Sequence, residues 1–220
     1  MNEQNFIPRA VLFDMDGLML DTEGPIIPLW QDAAGKFGKT LDNDILFNTI
    51  GRDAPSTKKM FLEKYGDDFP YDQVVEELMK IIEETIEKNG IPHKPGLVTL
   101  LDHLDSLGIP KAVATSTGKK TALWKLNHAG ISGRFDILTC GDEVKNGKPA
   151  PDIFLLAASR LGMKPKECVG FEDSTAGLRS LAAAGIKSVF IKDIVQPPED
   201  VLKTVWRRFG DLAEAAILFS

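Results

Sequence analysis

Five short apolar runs, each leading straight into a polar segment, constrain this chain more than any other feature: residues 11–13, 111–115, 137–140, 168–171 and 188–191. Continuous runs of this length fit strands buried on both faces of a parallel sheet. From residue 96 onward they alternate with amphipathic stretches at 96–107, 119–129, 151–161 and 176–184, followed by Gly108, Gly130, Gly162 and Gly185. A glycine just past a helix accepts the left-handed conformation that closes its last turn. Strand and helix in regular succession predict an α/β fold, a Rossmann-like parallel sheet flanked by helices.

The first run stands apart from the rest. Residues 25–37, 42–50, 56–65 and 71–88 read as helices, and nothing from 25 to 90 reads as a buried strand. In the last of these, Val74, Val75, Leu78, Ile81, Ile82 and Ile86 share one face, while Glu76, Glu77, Lys80, Glu83, Glu84 and Glu87 occupy the other. Asn89-Gly90-Ile91-Pro92 and Lys94-Pro95-Gly96 then break the helical pattern. The expected organisation is a catalytic core of residues 1–22 and 95–220, with 23–94 inserted as an all-helical cap domain. An insert tethered by two stretches of chain can move as a lid. The tail beyond Val195 carries weaker signals, read as short helices at 199–203 and 211–218.

Composition narrows the function classes. The chain has 220 residues, 43% of them hydrophobic and 26% charged, as in globular proteins. No stretch approaches the roughly 18 apolar residues of a membrane span. The opening MNEQNFIPR lacks the apolar centre of a signal peptide, so a cytoplasmic location is expected. The net charge of −6 and the lack of a basic run argue against nucleic acid as a partner. A phosphate would have to be held by local positive groups or a metal. Cys140 and Cys168 form no CxxC pair and are expected as buried, reduced thiols. His93, His103 and His128 lack the spacing of zinc ligands.

The chemistry gathers where the strands end, which is where open α/β sheets bind ligands. Asp14 and Asp16 follow the first run, with Gly17 behind them to permit a sharp turn. Carboxylates this close raise each other's pKa unless a cation offsets them. A helix cap beside a solvated loop aspartate, a calcium loop or a sugar-nucleotide site would each use such a pair. So would a nucleophilic carboxylate, a proton-handling carboxylate and a shared metal ion. Thr115-Ser116-Thr117 follows the second run and offers a hydroxyl and backbone N–H groups at a helix start, which suit phosphate. Gly147-Lys148-Pro149 supplies a point charge able to bind the same phosphate. Glu172-Asp173-Ser174 adds acidic oxygens after the fourth strand. Each piece alone has a capping or solvated reading. Together the four acids Asp14, Asp16, Glu172 and Asp173 call for a hard divalent ion, and Mg²⁺ commonly binds one or two carboxylates plus phosphate and water.

DMDGLMLDTE, ATSTG, GKPAPD and GFEDS, in this order and with an early helical insert, resemble the haloacid dehalogenase-like hydrolases over nearly the whole chain. The nearest subgroup is that of the β-phosphoglucomutase-like phosphatases, which carry a small helical cap. The resemblance implies that Asp14 attacks phosphorus to form an aspartyl-phosphate. Asp16 would protonate the leaving oxygen and then activate water, its backbone carbonyl ligating Mg²⁺. Thr115, Ser116 and Lys148 would hold the phosphoryl group, and Glu172 and Asp173 would anchor the metal, Asp173 most directly. Dehalogenating members lack the second aspartate, and phosphonate-cleaving members carry a small residue there and use a cap lysine. Sugar phosphomutases place a histidine early in the first cap helix, where this chain has Ile26 and no histidine before His93.

The expected activity is Mg²⁺-dependent hydrolysis of a small phosphorylated metabolite, a sugar phosphate or related monoester, by a monomer. The alternatives are a sugar phosphomutase and a non-catalytic binding or regulatory protein on the same fold. Arg52, beside Gly51 between two cap helices, is the candidate substrate contact.

Overall fold

A computed structural model describes residues 6–22, 26–49 and 54–220. The chain divides into two compact units, one formed by Met1–Asp21 with Pro92–Ser220, the other by Thr22–Ile91.

The first unit is built on a parallel sheet. Among the described residues its strands are β1 (Ala10–Phe13), β2 (Lys111–Ala114), β3 (Ile137–Thr139), β4 (Cys168–Glu172), β5 (Lys187–Ile191) and β6 (Arg207–Phe209). They lie in the order β3-β2-β1-β4-β5-β6. β1 is therefore central, pairing with β2 on one side and β4 on the other. Every residue of β1, β2 and β4 is buried. Helices α5 (Leu97–Ser106), α6 (Lys119–His128), α7 (Asp152–Arg160) and α8 (Thr175–Ala183) fill the crossovers. Ala10, Leu12, Ala112 and Ala114 pack with Ile153, Phe154, Ala157 and Leu181, so small strand residues let α7 and α8 approach closely. Gly170 on β4 carries this furthest: a Cβ there would lie 2.2 Å from Leu181 Cδ2. Phe13 stacks on Phe171 with centroids 5.2 Å apart, knitting β1 to β4 just behind the chemistry.

The fold is the expected α/β sheet with one addition. After Val195 the structure has α9 (Glu199–Leu202), then β6, then a 3₁₀ helix at Glu214–Phe219. β6 reads Arg207-Arg208-Phe209 and is largely exposed. A charged edge strand blunts unwanted pairing and carries no apolar run to betray it.

The second unit contains α1 (Ile26–Gly35), α2 (Asn43–Phe47), α3 (Ala54–Tyr65) and α4 (Tyr71–Asn89). Its own core gathers Trp30, Ala34, Leu46, Phe61, Phe69, Val74 and Leu78. Trp30 stacks on Phe61 at 5.0 Å and Tyr65 on Phe69 at 5.2 Å. Among the described residues no helix is long and apolar enough to cross a membrane.

Where the chain leaves and re-enters the first unit, two segments run side by side. Asp21 N–H donates to the Pro92 carbonyl (2.9 Å) and Lys94 N–H to the Met19 carbonyl (2.9 Å). Lys94 Nζ then reaches Asp193 Oδ1 at 2.6 Å and Asp21 Oδ1 at 3.3 Å.

Candidate active site

Asp14 sits one residue past β1, and its N–H still donates to the Phe171 carbonyl of β4 (3.1 Å). The sheet therefore holds its backbone rigidly. Its carboxylate is buried and pairs with the Lys148 ammonium. Lys148 Nζ also donates to Glu172 Oε1 at 2.7 Å and lies 4.7 Å from the Phe154 ring centroid. Burial pushes the Asp14 carboxyl up to about 7, with Lys148 opposing and Glu172 assisting the shift. Burial alone would lower the Lys148 ammonium, but Asp14 and Glu172 outweigh it and hold it above its ordinary value.

Glu172 ends β4 with no exposed surface. Its second oxygen accepts from Asp173 N–H (3.1 Å), Ser174 N–H (3.0 Å) and the Ser174 hydroxyl (2.9 Å). Ser174 in turn caps α8, accepting from Gly177 N–H at 3.0 Å. Gly177 is required here, because a Cβ would stand 1.6 Å from Glu172 Oε1. Asp173 points its Oδ2 at Gly17, where a Cβ would come within 2.5 Å, while its buried Oδ1 has no hydrogen-bond partner. Burial, then Glu172, Asp14 and Asp193, push Asp173 up to about 9.

Asp14, Glu172 and Asp173 offer oxygens within 4.8 Å of one another. Three hard oxygen donors, one of them from a carboxylate whose buried Oδ1 has no partner, fit a divalent cation. The raised values of Asp14 and Asp173 describe the same cluster without that charge.

Thr115 lies just past β2, beside the end of β1, as the register Phe13↔Val113 dictates. It is buried, and its oxygen accepts from Thr117 N–H at 3.1 Å. Ser116 is exposed, and its carbonyl abuts Gly141, where a Cβ would lie only 2.1 Å away. Gly141 N–H donates to the Thr117 carbonyl (3.1 Å), and Asp142 accepts from Lys119 N–H at the start of α6. The loop after β3 thus braces the loop after β2. Thr117 and α6 supply partners for Asp16: its Oδ2 accepts from the Thr117 hydroxyl at 2.7 Å and its Oδ1 from Lys125 Nζ at 2.5 Å.

The family model of the haloacid dehalogenase-like hydrolases matches residues 8–185. The chain is a haloacid dehalogenase-like hydrolase. It is 33% identical over 187 residues to the phosphorylated carbohydrates phosphatase of Thermotoga maritima, covering 83% of this chain and 84% of that one. It is 30% identical over 185 residues to the fructose-1-phosphate phosphatase of Escherichia coli, covering 83% and 96%. Among solved structures, a Thermotoga maritima protein provisionally described as a β-phosphoglucomutase superposes with a TM-score of 0.83 at 27% identity, over 96% of this chain and 97% of its own.

In this haloacid dehalogenase-like hydrolase ion pairs join Asp14, Lys148 and Glu172, and Glu172 accepts the N–H of Asp173, with Asp16 two residues beyond Asp14 and Thr115 at the end of the neighbouring strand β2. Arg52 lies outside the described residues. Two side chains at the site, Lys125 and Asp193, were not found by reading the sequence. Thr117 was named only within the hydroxyl run after the second strand, with no contact to Asp16 expected. Lys125 sits in the last turn of α6, on the same helix as Lys119 and Lys120, with no distinguishing pattern. Asp193 follows β5 and is signalled only by its place past a strand end.

Proposed function

We propose that this phosphoric monoester hydrolase is a Mg²⁺-dependent phosphatase acting on a sugar phosphate or related small monoester through an aspartyl-phosphate intermediate. One observation carries the reading: Asp14 is pinned beside Lys148, while the adjoining Asp173, whose buried Oδ1 has no partner, offers a carboxylate oxygen to the same cluster. The naming of relatives for phosphorylated carbohydrates and fructose 1-phosphate supports the substrate class.

In this mechanism Thr115, Ser116 and Lys148 orient the phosphoryl group. An Asp14 carboxylate oxygen bonds to phosphorus, and the ester oxygen leaves with the bonding pair. Asp16 gives that oxygen a proton. It then takes one back from a water that attacks the phospho-aspartate, which releases inorganic phosphate and restores Asp14. Asp14, Asp173 and the Asp16 carbonyl would hold Mg²⁺, with Glu172 anchoring Asp173 from behind. When bound, the ion offsets the clustered carboxylates and the charge of the phosphoryl oxygens.

The likeness to a β-phosphoglucomutase-type structure favours a phosphomutase as the second reading. A screen of sugar phosphates with Mg²⁺, reading free phosphate and sugar isomers together, separates the two. Stoichiometric phosphate release supports the phosphatase. Isomerised sugar phosphate without phosphate release supports the mutase, and a folded sample inert toward every monoester, p-nitrophenyl phosphate included, refutes both.

A further inference from the structure

Asp16 is held at both carboxylate oxygens, and by groups of different character. Thr117 Oγ1 lies 2.7 Å from Oδ2, and Lys125 Nζ lies 2.5 Å from Oδ1. Each partner is itself fixed. Thr117 gives its N–H to Thr115 Oγ1 and accepts from Gly141 N–H through its carbonyl. Lys125 stands on α6 between the buried Ala122 and Leu126. Helical side chains lean toward the helix N-terminus, so Lys125 reaches back along α6 toward Thr117 and the site. Its place in the last turn of α6 would otherwise turn its charge to the C-terminal carbonyls.

The two donors are not equivalent. An ammonium has three donors and no acceptor, whereas a hydroxyl both donates and accepts. The oxygen facing Lys125 can only accept. The oxygen facing Thr117 can keep its hydrogen bond whether it is bare or carries a proton. Such an arrangement orients the carboxyl, presenting Oδ2 as the oxygen that exchanges a proton. The side chains of Lys125 and Asp16 are 20% and 27% exposed, so the pair is shielded yet open on one side. Partly exposed ion pairs contribute little to fold stability, which makes orientation the better account of this one.

We infer that Lys125 is a positioning residue for the proton transfers of Asp16, a role that rests on the phosphatase reading above. It touches neither the phosphoryl group nor the proposed metal ligands other than Asp16, and acts by fixing which oxygen meets the leaving group. A misplacement of about 1 Å in such a constellation can cost about 10²-fold in rate.

The test compares phenyl phosphate, whose leaving group needs a proton, with p-nitrophenyl phosphate, whose leaving group needs it far less. Wild type, Lys125→Met, Lys125→Arg, Asp16→Asn and the Lys125→Met/Asp16→Asn double variant are assayed with Mg²⁺, and thermal melts check folding. Lys125→Met should lower kcat/KM, which reports phosphoryl transfer to Asp14 and not the later hydrolysis common to both esters, about tenfold more for phenyl phosphate than for p-nitrophenyl phosphate. Lys125→Arg should recover most of the loss, and Lys125→Met should add nothing once Asp16 is asparagine. An equal loss of kcat/KM on both substrates, an undiminished further loss in the Asp16→Asn background, or no loss at all overturns the inference while leaving the phosphatase reading intact. Wild type inert toward both esters would remove the phosphatase reading, and this role with it.

Discussion

The Lys148 ammonium donates to Glu172 Oε1 at 2.7 Å, joining a loop lysine to a glutamate with no exposed surface at the end of β4. Because Glu172 also gathers Asp173 N–H, Ser174 N–H and the Ser174 hydroxyl, it sets the lysine and the turn into α8 at once. Removing one partner of a buried ion pair typically costs about 3–5 kcal/mol. Glu172→Ala should therefore destabilise the fold by about 3 kcal/mol, Asp14 retaining part of the hold on Lys148. Glu172→Gln, which keeps the shape and one acceptor, should cost less. Urea unfolding followed by circular dichroism measures both, and equal costs would show that charge rather than shape matters at this position.

The two aspartates should separate kinetically. Asp14→Asn leaves no carboxylate to attack phosphorus and should abolish turnover of any monoester. Asp16→Asn keeps the nucleophile and loses the proton relay, typically worth about 10²–10⁴-fold. With p-nitrophenyl phosphate it should release one equivalent of nitrophenol in a burst and then stall, since water attack on the phospho-aspartate lacks its base. Rapid-mixing absorbance reads this directly. A burst from Asp14→Asn would mean the roles are reversed.

Gly141→Ala tests the bracing of the phosphate loop. The added Cβ would stand 2.1 Å from the Ser116 carbonyl, a backbone atom that cannot swing away. Overpacking of this kind typically costs about 1–3 kcal/mol. The shift falls on residues 115–117, so KM for phosphate esters and inhibition by inorganic phosphate should both weaken. Unchanged phosphate inhibition would show that the loop is not part of the phosphate site.

Metal-free protein should have an unusual pH profile. Asp14 and Asp173 have folded-state values of about 7 and about 9, above an ordinary 3.8, because burial penalises their charge. In that window the folded state binds more protons than the unfolded chain, so their contribution to stability falls as pH rises. Mg²⁺ favours the ionised acids, so its stabilising effect should grow from about pH 5 to about pH 9. At a hundredfold excess over Kd the gain is about 2.7 kcal/mol. Thermal melts in EDTA and in Mg²⁺ across that range check the trend, and Asp173→Asn should flatten it. A melting temperature indifferent to Mg²⁺ at high pH would count against a metal at this cluster.

What could be read along the chain is what short-range pattern encodes. Apolar runs mark strands, glycines mark helix ends, and Asp14, Asp16, Thr115, Glu172 and Asp173 stand at or just past the end of such a run, with Lys148 a loop beyond another. The edge strand β6 escaped because its two arginines leave it no apolar signature. Which side chains meet across the sheet follows from other physics. Lys148 finds Asp14 across 134 residues and Lys125 finds Asp16 across 109. Those encounters depend on strand order, on register and on the lean of a helical side chain, none of which has a local signature. Lys125 looks like any lysine on a helix face until the sheet brings β1 beside β2 and aims the start of α6 at the Asp14–Asp16 turn. The residues able to do chemistry are thus inscribed locally, whereas their partners, the orphaned oxygen of Asp173 and the two-sided hold on Asp16 exist only once packing has closed the long-range contacts.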